Sequence, residues 1–301
     1  MQIIKPVTVT DSILVSSNVA ENDYAEWAVG TTYAAGDKVI VLSTHSIYES
    51  LVGSNLGNDP TTDDGTNWLR LGATNRWRAF DQKISDHVTN TTTIDYEFSN
   101  FTTNVTSVAL FGLVGISANV TVTDPIDGEV YNETISLIDN RNIVDWYTYF
   151  FEEQAQRQEA QFLNIPPYLA STLDVNVTAA NTDTAELGQI VFGFLSEIGA
   201  TTYGTAISIE DFSRKETDAF GNFIVVERAY AQLADFDVQF PTASARKIQR
   251  TLAEYRATPI VYVGSEDVSY GTTIYGFYRR FDLTLETPSI SFGAIEVEGL
   301  T

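Results

Sequence analysis

Between residues 91 and 195 the chain repeats one pattern: apolar and polar side chains alternate over short runs, and each run ends in turn residues. A period of two sends successive side chains to opposite faces of a strand, so runs of this kind fit a sheet with one buried face. The alternation is clear at 91–98 (TTTIDYEF), 105–115 (VTSVALFGLVG) and 119–124 (NVTVTD), and Asp127-Gly128 supplies a turn before 129–137 (EVYNETISL). Further strands are expected at 143–151, at 172–179 after Pro166-Pro167, and at 185–195. Short strands at this spacing predict an antiparallel β-sandwich over 75–197. Residues 152–163 (EEQAQRQEAQFL) are good helix formers without an apolar stripe, and are expected as an exposed loop or a single helical excursion.

From about Ile198 a second period joins the first. Residues 205–240 read as strand, polar tip, strand and strand, with Phe220-Gly221-Asn222 near the turn. In 242–259, Ile248, Leu252 and Tyr255 recur at helical spacing and Pro259 stops the run, so a helix is expected near 243–256. Strands at 260–264, 273–286 and 289–300 complete an α+β unit over 198–301. At the other end, residues 1–23 alternate apolar and polar side chains and then break at Ser16-Ser17-Asn18. This strand-forming arm could add to a neighbour's sheet edge or pair with its own body.

Composition narrows the partners. Seventeen basic residues against forty acidic ones leave a net charge of −23. A surface that negative repels phosphate backbones and anionic lipids, so neither nucleic acid nor membrane insertion is expected. There is no cysteine, which removes disulfides and thiolate metal sites alike. No apolar run approaches the roughly twenty residues needed to cross a bilayer. The opening MQIIKPVTVTDSILVSS alternates where a signal peptide would need a basic start and a continuous apolar run.

Residues 24–74 differ from the rest. Trp27, Tyr33, Tyr48 and Trp68 punctuate very short strands, with a turn at Gly36-Asp37 and a loop opening at Asn58-Asp59-Pro60. With Val39, these residues resemble the framework of the small three-stranded carbohydrate-binding modules of family 5/12, best known from chitinases. The resemblance implies sugar recognition by aromatic rings stacking on pyranose faces. It makes Tyr33, Trp68, Trp27 and Tyr48 the candidate carbohydrate-binding residues. Where chitinase modules carry adjacent tryptophans, this chain has Leu51, Val52, Gly53 and Ser54. The four aromatics serve equally as the core of a domain too small to fold otherwise.

Other constellations are weaker. His45 and His87 are the only histidines, and neither sits in a nucleophile-elbow pattern. Asp59, Asp63 and Asp64 could gather around calcium, but their spacing does not match a twelve-residue calcium loop, and a solvated loop is the expected form. No catalytic residue, metal or cofactor is expected. Arg214 and Lys215 at a hairpin tip, with Arg246, Lys247 and Arg250 on the helix, form the candidate assembly surface of an acidic chain.

Taken whole, the chain resembles tail-associated proteins of tailed bacteriophages. The markers are IIKPVTVTD, ATNRWRAFD, VTDPIDGEVY, DWYTYFFE, IEDFSRKETDAFGN, VERAY, RATPIVYVGS, YGFYRRFDL and IEVEGLT, in that order around the aromatic module. The sandwich itself looks like the jelly rolls of galactose-binding-like domains. The resemblance implies a virion component of a tail tip, baseplate or adhesin apparatus, assembled in the host cytoplasm in several symmetric copies. Its partners would be further copies, other tail proteins and a bacterial surface glycan bound multivalently. A purely architectural adaptor and a glycan-degrading tail enzyme are the alternatives.

Overall fold

A computed structural model describes residues 1–139, 143–151, 155–217, 220–267 and 270–301. The protein is mainly β, with antiparallel sheets and few helices. Its largest sheet has ten strands. The order runs Glu159–Phe162, Ser107–Phe111, Gln189–Glu197, Gln2–Pro6, Ile260–Val263, Thr273–Thr284, Ile290–Gly299, Tyr230–Pro241 and Ala200–Thr201, with Ala206–Asp211 pairing beside the last of these on Tyr230–Pro241. A five-stranded sheet, in the order Gly128–Ser136, Ser117–Asp124, Thr172–Thr178, Thr93–Phe98 and Leu14–Ser17, packs against the first half of it.

The alternation read from the sequence is what joins these sheets. In Thr93–Phe98, Ile94, Tyr96 and Phe98 are buried while their neighbours are not. In Thr172–Thr178, Leu173, Val175 and Val177 do the same. Opposite them, Val108, Leu110, Phe162, Ile190 and Phe192 close the sandwich from the ten-stranded sheet. Phe98 and Phe192 meet at 4.8 Å between ring centroids.

The opening segment is not a free arm. Gln2–Pro6 pairs with Gln189–Glu197 on one side and Ile260–Val263 on the other, and Ile3 and Ile4 are both 0% exposed. A strand whose consecutive side chains are both buried has both faces covered, and its partners on either side place it within the sheet rather than at its edge. The same pairing overturns a division between 197 and 198, because one continuous sheet holds strands from 1–23, 75–197 and 198–301. Local periodicity carries no information about which distant strands become neighbours.

Two local expectations also change. Residues 143–151 were expected as a strand, but α1, Trp146–Phe151, is helical. Asp145 caps it: the Thr148 amide donates to Asp145 Oδ1 at 2.7 Å, and the Asp145 amide lies 3.1 Å from Thr148 Oγ1. This reciprocal pair satisfies helix-end amides that β propensity does not count. Within the expected loop at 152–163, residues 152–154 lie outside the described residues. Ala155–Gln156 and Glu159–Phe162 are strands, the latter with Ala160, Gln161 and Phe162 buried.

The C-terminal helix forms as expected. A 3-10 turn, Thr242–Ser244, leads into α2, Ala245–Glu254, which seats Ile248 and Leu252 against Phe236, Val238 and Phe240 of the sheet. The aromatic module has its own three-stranded sheet, Lys38–Val41, Ser46–Ser50 and Trp68–Ala73, flanked by the pair Thr32–Tyr33 and Asn55–Leu56. No helix among the described residues is long and apolar enough to cross a membrane.

Candidate functional site

The bulkiest apolar side chains of this small module are its aromatic rings, and the fold buries three of them in its core while Leu51, Leu56, Leu69 and Leu71 stay exposed. Tyr33, Val39, Val41, Tyr48 and Trp68 form one buried cluster, with Trp27 partly buried against it. Trp68 is 3% exposed, its Nε1 donates to the Asn58 carbonyl at 2.9 Å, and its ring meets Tyr33 edge-on at 5.2 Å. The Tyr33 hydroxyl accepts from the Ala28 amide at 2.8 Å. Burial to this degree, with Tyr33 at 9%, Tyr48 at 8% and Trp68 at 3% exposed, leaves none of these rings an open face for a pyranose. The reading of Tyr33, Tyr48 and Trp68 as a stacking platform is therefore corrected; only Trp27 keeps part of its surface in solvent.

The acidic loop is tied to itself. Asp63 accepts from the amides of Gly65, Asn67 and Trp68 at 2.9 to 3.0 Å and from Asn67 Nδ2 at 2.7 Å. Burial pushes its carboxyl up, but these donors outweigh it and hold the group below the usual carboxylate range. Asp59 Oδ1 accepts from Thr61, and Asp64 Oδ1 from Thr66. The carboxylates thus replace a bound cation with loop amides, and no cluster of three or more metal-ligating side chains occurs among the described residues.

His45 fastens the module to the body. Its Nδ1 lies 2.9 Å from Glu21, its Nε2 2.8 Å from Asp11, and its ring stacks on Trp77 at 3.9 Å. Thr74 Oγ1 donates to the same Glu21 at 2.8 Å. His87 pairs with Glu186 at 2.6 Å and lines an open cleft of about 580 Å³ together with Phe111, Glu159, Tyr230 and Tyr275. Burial pushes the Glu159 carboxyl up to about 7. A carboxyl poised there can move a proton, and Asp139, 3.9 Å from Arg157, lines the same cleft.

The candidate assembly cations divide into two kinds. Arg214 pairs with Glu216 and Lys215 with Asp211, both at 2.6 Å, along the ribbon Arg214–Thr217 and Phe223–Val226. Arg246, Lys247 and Arg250 project from the exposed side of α2 and have no ion-pair partner among the described residues. The two groups lie on different elements and form no single patch.

Sequence reading missed the exposed apolar elements. On α1, Trp146 is 78% and Phe151 76% exposed, and the helix buries none of its residues. On the ribbon, Phe223, Ile224, Val225 and Val226 are all exposed on a two-stranded pair. The signal available was composition: six consecutive residues, WYTYFF, and four, FIVV, have no polar alternation to give them an outer face.

No protein-family model matches this chain, and no curated protein matches it either.

Proposed function

We infer that this chain is a non-enzymatic structural subunit of a bacteriophage tail, used in several copies in a tail tip, baseplate or adhesin apparatus. One observation carries the reading: the apolar ribbon Phe223–Val226 and the aromatic α1 stand in solvent on the isolated chain. An isolated two-stranded ribbon is marginal in water, and contiguous apolar surface of this sort marks protein interaction sites. Neighbouring subunits would cover both elements. The order of the sequence markers supplies the class of particle, and the acidic surface keeps many copies soluble before assembly.

Within this role the module is an architectural decoration, since its rings hold its own core. Two measurements test the reading. Sedimentation velocity of the purified protein should show association that rises with concentration, and antibodies against it should label the tails of particles from the genome that encodes it. A monomer at every concentration, or label confined to unassembled lysate protein, would overturn the proposal. Saturable binding to host polysaccharide, lost in Trp27→Ala with the fold intact, would restore the adhesion reading.

A further inference from the structure

The C-terminal part of the large sheet has two unlike faces. One is covered by α2, through the alternate residues Phe236, Val238 and Phe240. The other is open. Asp235 and Asp237 lie there on Tyr230–Pro241, exposed, and the register sets Asp235 directly opposite Glu296 and Asp237 opposite Ala294. Carboxylates directly across a strand pair repel one another. Arg280, the neighbour of Glu296 on Thr273–Thr284, does not relieve them, because its guanidinium is held by Asp282 at 2.8 Å. Ile290 and Phe292 extend the same face as an exposed apolar row.

The outer side of α2 is the complement. Arg246, Lys247, Arg250 and Arg256 stand there, and α2 itself carries a single carboxylate, Glu254, in a chain whose net charge is −23. Arg256 is turned back onto the Ala253 carbonyl at 3.0 Å, which leaves the other three facing solvent. The spacings agree as well as the signs. Residues i and i+4 of a helix lie about 6 Å apart along its surface, and residues i and i+2 of a strand about 7 Å. Arg246 and Arg250 therefore match the separation of Asp235 and Asp237.

We propose that α2 of one copy docks on the open sheet face of the next, with Arg246 and Arg250 against Asp235 and Asp237. The inference rests on the multi-copy reading above and names its contact. A cation from outside relieves the Asp235–Glu296 opposition, which no ion pair among the described residues relieves, and Phe292 supplies apolar area beside it. Because the two surfaces lie on opposite sides of one chain, the contact is head-to-tail and propagates into a ring or a stack rather than closing on a two-fold dimer.

Four proteins test it by sedimentation velocity: wild type, R246E/R250E, D235K/D237K, and the quadruple variant. All four positions are exposed, so thermal melting should be unchanged and reports any loss of fold. Each double variant should need at least tenfold more protein to associate, and wild-type association should weaken as salt rises. A mixture of the two double variants should associate beyond dimers in alternating copies, since each helix then meets a sheet of opposite charge, and the quadruple variant should associate on its own again. If the wild type associates and R246E/R250E does so equally well, this interface is wrong and the multi-copy reading stands. A mixture that stays apart, or a quadruple variant that does, also overturns the interface. A wild type that never associates overturns both.

Discussion

A Cβ placed on Gly193 would lie 1.8 Å from the carbonyl oxygen of Lys5. No side chain fits in that gap, and the obstacle is backbone at the centre of the ten-stranded sheet, where Lys5 and Pro6 run beside Phe194 and Gly193. Gly193→Ala is expected to destabilise the protein by at least about 3 kcal/mol, in the tail of single-substitution effects. Chemical denaturation followed by circular dichroism checks this. Deleting residues 2–6 should unfold the body rather than merely dissociate copies; a truncated chain with native spectra would contradict the pairing described.

Trp68→Ala should empty the centre of the module core and cost about 3 to 5 kcal/mol locally, whereas Trp27→Ala, at the partly buried margin, should cost less. Limited proteolysis reads the difference as new cleavage within 24–74. Equal protection of the two variants would argue against the core assignment.

His45→Ala removes two contacts to carboxylates and the stack on Trp77. The expected result is a loss of about 2 kcal/mol in the docking of the module, with the module's own strands intact. Hydrogen exchange should then rise at Thr74 and Asn75 before it rises at Trp68. Simultaneous loss of protection at all three would show that module and body unfold together.

Among the carboxyls that burial raises are Asp81, to about 6, and Glu159, to about 7. Both hold their protons in the folded chain at pH values where the unfolded chain has released them. Below the ordinary carboxylate range the two states are protonated alike and nothing is lost. As pH rises from about 4 to 7, the folded state is progressively disfavoured, and above that window the full cost remains. Glu159→Gln should remove a part of this fall, roughly 1 to 3 kcal/mol, and leave stability at pH 4 unchanged. Urea midpoints at pH 4, 5.5 and 8 measure it; identical slopes with pH in both proteins would count against a buried Glu159.

The strands of the sandwich were legible because burial on one face imposes a period of two on residues such as Ile94, Tyr96 and Phe98. The helix at Ile248 and Leu252 was legible for the corresponding reason. What escaped was of two kinds. At Trp146–Phe151 aromatic content spoke for a strand, while the competing signal, Asp145 followed three residues later by Thr148, lay outside the apolar pattern. The position of Ile3 and Ile4 depended on partners at 193–197 and 261–263, and no window short of the whole chain contains both. The four module aromatics were identified as a set, but whether a ring faces inward or outward is decided by strand register, which strands as short as Thr32–Tyr33 and Asn55–Leu56 do not reveal in their pattern. Here Tyr33, Tyr48 and Trp68 face inward while Leu51, Leu56, Leu69 and Leu71 face solvent.

The central place of Gln2–Pro6 fixes a timetable. These residues leave the ribosome about 190 positions ahead of their first neighbour, Gln189–Glu197, and the second, Ile260–Val263, arrives later still. Sheets built from such distant segments close slowly, because the intervening chain must be gathered before the contact is gained. The sandwich between can condense as it is synthesised, but the largest sheet waits for the strands at 260–299. Nascent chains therefore carry two exposed isoleucines until the last strands arrive, a window in which a holding chaperone would bind them.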